Sequence, residues 1–267
     1  MHNSILYNII TLLKAGAFTP SGRNDRQGKG ISVMPMSKHK WREVAAVAGI
    51  LDIADYIRDG AKMIEDETQR ETCVSITGTD TSRDDKAKPA LPAPELFNHW
   101  TQKRLDAVRE EEMNAHDTSE HTLELLDLIV ANANAIVSAD VSIKGIVELG
   151  RYIRKYGCST TEGDARTEGL KKDIDWEKLR AWLSTVGLVQ TANLEGNMLV
   201  SCFDFSEEEL PFVKKPYHSA EKIFMHSLSN ALKKHSCNSA TRMNVALLET
   251  VSHRFFSMIS MVTDIEE

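Results

Sequence analysis

The stretch LVQTANLEGNMLVSCFDF, residues 188–205, restricts the fold more than any other part of the chain. Two short runs of apolar and β-branched residues flank Glu195-Gly196-Asn197. Glycine reaches positive φ without steric cost, so Gly196-Asn197 has the composition of a two-residue hairpin turn. A turn there pairs Leu194 with Leu199, Ala192 with Ser201, Gln190 with Phe203 and Leu188 with Phe205. Side chains alternate along strands, so these residues share one largely apolar face that must pack on a core. Val189, Thr191, Asn193, Glu195, Met198, Val200, Cys202 and Asp204 form a second, semi-apolar face. The remaining periodicity is helical, so the expected fold class is mainly α with one β-hairpin.

The hairpin follows DWEKLRAWLSTVGL, a helical pattern with Trp176, Leu179 and Leu183 on one stripe and Trp182 beside Leu179. By its order of elements, the region 141–205 resembles a winged-helix unit. The resemblance implies either a DNA-reading module or a protein-assembly module, since fold alone does not decide function. Charge separates the two. No Lys or Arg occurs from Ala181 to Val213, and Lys178 and Arg180 on the helix are offset by Asp175 and Glu177. A wing that contacts nucleic acid needs cations to neutralise phosphates.

The expected function is therefore a non-enzymatic protein-interaction or assembly module. A protein partner, or a second copy, would dock on Val189, Thr191, Met198 and Val200, where uncovered strand edges invite pairing. The alternative is a DNA-binding transcriptional regulator using Arg151, Arg154, Lys155, Lys171, Lys172, Lys178 and Arg180. A second alternative is a metal-dependent enzyme at His116, Glu120 and His121, because His and carboxylate ligands suit zinc. Those histidines stand five apart, however, and a spacing of four is what places two ligands on one helical face. Asp117 as an N-cap, with Glu120 closing a capping box, accounts for the same residues structurally. His235, Cys237 and His253 offer too few local ligands. Gly28-Lys29-Gly30 follows no strand pattern, and no phosphate loop, dinucleotide fingerprint or nucleophile elbow occurs. No catalytic residue, metal site or cofactor is assigned.

Along the chain, residues 1–36 read as a basic flexible leader and 37–73 as an N-terminal helical segment. Ser37 is a candidate N-cap for a helix reaching Asp59, with Gly60 as its stop. Residues 74–93 are polar and proline-bearing, a linker to a helical domain over 94–267. Within that domain, Pro94 suits the first position of a helix running to about Asn114. Helices are expected over 118–138 and 143–156, then the winged-helix-like unit, then a C-terminal helical hairpin over 219–264 with Val251, Phe255, Met258 and Val262 on one stripe. The carboxylate run Glu110-Glu111-Glu112 reads as a solvated helix end, and Trp41, Trp100, Trp176 and Trp182 each fit a helix-core position.

The net charge of −7 is divided unevenly: residues 1–42 carry seven Lys/Arg against Asp25 alone. A basic leader on an acidic body is either a solvated tail or a contact for a polyanion. Cys73, Cys158, Cys202 and Cys237 form no CxxC spacing, consistent with a reduced cytoplasmic chain. The apolar run from Ile5 to Leu13 is interrupted by Asn8 and Thr11 and is too short to span a membrane.

Overall fold

The structure, a computed structural model, describes residues 3–18, 30–78, 94–115, 119–138, 141–157 and 174–236. Among these residues there are ten helices and no strand. The helices are α1 (Asn3–Phe18), α2 (Lys38–Ile50), α3 (Ala54–Ala61), α4 (Glu67–Thr77), α5 (His99–Asn114), α6 (Glu120–Ser138), α7 (Ile143–Tyr156), α8 (Trp176–Val186), α9 (Val189–Phe203) and α10 (Ala220–Ser236). The chain divides into two compact units, Met1–Leu91 with Lys222–Val245 and Pro92–Glu221 with Ala246–Glu267.

In the first unit, residues 3–18 are helix and not leader. Ile5, Ile9, Leu12 and Leu13 recur at helical spacing, and each is at most 1% exposed. The helix crosses α3 at glycines. A Cβ on Gly16 would collide with the Tyr56 carbonyl, and one on Gly60 with the Leu12 carbonyl. Gly60 thus serves close helix approach inside α3 and is not a helix stop. The α2 pattern breaks at Leu51–Ile53, where Asp52 takes φ 54°, so the expected single helix becomes α2 and α3. An extended segment is strapped across this core. Ile31 bridges Ile64, the Asn8 side chain both donates to and accepts from Met34 backbone, and Gln69 Oε1 accepts from Met36 N and Trp41 Nε1.

The second unit contains α5 to α9. Here α6 buries Leu125, Leu126, Ile129 and Val130, and α7 buries Ile143, Ile146, Val147, Leu149 and Ile153. Ser142 caps α7 by accepting from Gly145 N, and Asp175 caps α8 by accepting from Glu177 N and Lys178 N. Each cap satisfies amides that the first helical turn leaves without partners.

The expected hairpin is absent, and with it the winged-helix-like unit. Residues 189–203 form α9, a single helix packed against α6, α7 and α8. Leu188, Ala192, Glu195, Leu199 and Cys202 are all buried and follow one helical stripe. An ionisable residue in its middle hides this stripe from a hydrophobicity pattern. Gly196 supplies no turn: it lies in mid-helix, where a Cβ would collide with Val213 Cγ2 and crowd Phe212. Val, Thr, Asn and Gly are weak helix formers, so burial overrides local preference here. The expected C-terminal hairpin keeps its first helix as α10, and residues 237–267 lie outside the described residues.

Candidate functional site

The refolding of residues 189–203 dismantles the expected docking face. Successive helical residues are turned by about 100°, so Val189 and Val200 fall on one side of α9 and Thr191 and Met198 on the other. Met198 is fully buried, Thr191 and Val200 are half-buried, and Val189 is 37% exposed.

The interior of α9 is polar for a reason. Asn193 Oδ1 accepts from Lys214 N (3.0 Å) and Lys215 N (3.2 Å), and its Nδ2 donates to Lys215 O (3.0 Å). Asn197 Nδ2 donates to Lys215 O (2.9 Å), and its Oδ1 accepts from Tyr217 N (2.9 Å). Two amides one turn apart therefore clamp an irregular segment onto the helix, satisfying backbone groups that no regular ladder serves. Glu195 differs from them. It has no exposed surface, and its Oε2 accepts one hydrogen bond, from Asn132 Nδ2 on α6 at 3.3 Å. Its Oε1 has no hydrogen-bond partner among the described residues. Burial pushes its carboxyl well above the usual range, with the Asn132 hydrogen bond opposing in part. A general acid must reach a substrate atom, and Glu195 reaches no surface.

Two of the basic residues named for nucleic acid, Lys178 and Arg154, are held in ion pairs. Lys178 Nζ lies 2.5 Å from the buried Glu112 carboxylate, which also accepts from Ser119 N. Arg154 Nε donates to Glu209 Oε1 at 3.0 Å, and its guanidinium covers the Phe205 ring at 4.0 Å. Arg180 Nε donates to the Trp176 carbonyl of its own helix, and Lys155 sits 4.5 Å from the Tyr156 ring centroid. Arg151 is exposed on α7, while Lys171 and Lys172 lie outside the described residues. Glu112, expected in solvent, is thus the anchor of an ion pair joining α5 to α8.

His116 also lies outside the described residues, and Glu120 is exposed. His121 stacks on Tyr156 at 4.0 Å, and its Nδ1 lies 2.9 Å from the Tyr152 hydroxyl, which donates to Glu124. Burial, then that carboxylate, raise the Tyr152 hydroxyl above its ordinary value, the opposite of an activated phenol. Among the described residues no three His, Cys, Asp or Glu side chains converge as a metal site.

The feature that sequence reasoning misplaced is the start of α5. The helix begins at His99, five residues after the start expected at Pro94, and Asn98 caps it by accepting from Trp100 N. The residues ahead of the cap are held firmly. Arg109 donates to the Pro94 carbonyl (2.8 Å), Asn134 to the Glu95 carbonyl (2.5 Å), and Leu96 N donates to Gln102 Oε1 (2.6 Å). On this pinned backbone, Phe97 and Trp100 are each 72% exposed. Only Leu105, Val108 and Glu112 of α5 are buried, and Trp100 lies well off that narrow stripe. Its phase relative to Leu105 and Val108 was the available signal that it faces outward, unlike the buried Trp41 and Trp182. No known protein family, curated protein or solved structure matches the chain.

Proposed function

We propose that this chain is a protein-interaction or assembly module whose contact face is the outer side of α5 together with Phe97. The observation that carries the reading is the exposure of two large aromatic side chains on a hydrogen-bonded, capped backbone. Single exposed apolar residues are common, but Trp is the residue type most enriched at the energetic centres of interfaces. A backbone already fixed loses little entropy when a partner arrives. No helix among the described residues is long and apolar enough to cross a membrane. The competing nucleic-acid reading is weakened because Lys178 and Arg154 would have to leave Glu112 and Glu209 before neutralising a phosphate.

A photo-crosslinking amino acid placed at position 100, and separately at position 189, tests this in cells making the full chain. The expected result is a discrete protein adduct from position 100 and none from position 189. Absence of any protein adduct at position 100 would overturn the reading.

A further inference from the structure

The outer face of α5 carries a charge pattern that is its own complement. Trp100, Lys103, Arg104, Ala107, Glu110, Glu111 and Asn114 recur at three- and four-residue spacing, and all are exposed. Such spacing puts them on one side of a helix. The cations occupy the N-terminal half of this stripe and the anions the C-terminal half, with the smallest side chain, Ala107, midway between. Lys103, Glu110 and Glu111 make no ion pair among the described residues, while Arg104 donates to the Thr185 carbonyl at 3.5 Å.

We propose that this face binds a second copy of the chain, with the two α5 helices antiparallel and crossing at Ala107. The inference rests on the reading of α5 as a contact face and names its partner. In a twofold contact centred on Ala107, Lys103 of one copy faces Glu111 of the other and Arg104 faces Glu110; symmetry repeats both pairs. Trp100 then covers the last turn of the opposing helix around Asn114. Ala107 at the crossing lets the backbones approach to about 8 Å, the close end of helix packing distances. A parallel arrangement sets like charges against like, so the pattern fixes direction as well as partner. A partner of a single charge sign meets repulsion over half of the stripe. The contact is short and mostly charged, which places it with weak, salt-sensitive associations.

The test is sedimentation velocity of the full-length protein across a concentration series. Three proteins are compared: the wild type, K103E/R104E with an all-acidic stripe, and E110K/E111K with an all-basic stripe. The wild type is expected to dimerise, and to dissociate as the screening length falls from about 10 Å at 0.1 M salt to about 3 Å at 1 M. Each variant alone should be monomeric, with self-association weakened at least about tenfold. Their equimolar mixture should restore a dimer. Ala107→Lys, which confronts its own copy at the symmetry axis, should also be monomeric. A monomeric wild type at every concentration, a dimer that persists in both charge variants, or a mixture that stays monomeric would each overturn the proposal. The crosslink at position 100 separates the two claims: an adduct with a different protein leaves the contact face standing and removes the self-pairing.

Discussion

Helices α5 and α9 lie in the same compact unit and are built on opposite terms. In α5, local chemistry is sufficient: an Asn98 cap, good helix formers and three buried residues hold it, and its outer side is exposed. In α9, local chemistry argues against a helix, and burial on almost every side imposes one. A helix with spare surface is free to carry a contact. A helix buried on most of its surface is committed to the fold, however chemically suggestive its polar residues look. Substitutions in the two should therefore register in different measurements, stability for α9 and association for α5.

The largest effect is expected at Met198. As the outer face of a hairpin it would tolerate truncation; as a fully buried residue of α9, Met198→Ala should lose about 3 kcal/mol in urea unfolding. Val200→Ala, half-buried, should lose less than about 1 kcal/mol, and equal losses at the two sites would break the comparison. Next comes Asn193→Ala, which removes three hydrogen bonds to residues 214–215 and should lose about 2 kcal/mol. Faster amide exchange confined to 213–217 would locate that loss.

Glu195 gives a smaller effect of opposite sign. Its carboxyl titrates higher in the folded than in the unfolded chain, so the folded state holds the proton more tightly. Stability from this group is full below the unfolded carboxylate's ordinary pKa and is lost progressively as pH rises above it. Glu195→Gln keeps an acceptor for Asn132 without a charge. It should therefore be more stable than the wild type above the ordinary carboxylate pKa, with a flatter stability profile; an unchanged profile contradicts a carboxyl raised by burial. The smallest expected effect on stability is at α5, where K103E/R104E should shift unfolding by less than about 0.5 kcal/mol.

Much of the helical framework was legible from sequence. The limits of α7, Ile143–Tyr156, follow from the spacing of its apolar residues. What escaped were positions where tertiary contact decides. Gly196 looks like a turn residue because the same missing Cβ that permits positive φ also permits Phe212 and Val213 to lie against a helix. Glu195 hides a buried stripe, and Glu112 looks solvated until Lys178 is placed beside it. Residues 3–18 look like the start of a tail because the first 42 residues carry seven Lys/Arg against one Asp, yet they form a helix whose polar Asn8 clamps Met34. The proposed contact face moves from α9 to α5 because helical winding turns Met198 inward, whereas Phe97 and Trp100 are exposed.

Hydrogen exchange on the full chain at low and at high protein concentration tests the contrast between the two helices most directly. The expected result is strong protection of residues 189–203 at both concentrations, from a helix enclosed by α6, α7 and α8. Protection of residues 99–114 should rise with concentration as the outer side of α5 becomes covered. Weak protection across 189–203, or a concentration-dependent change there and not in α5, would contradict it.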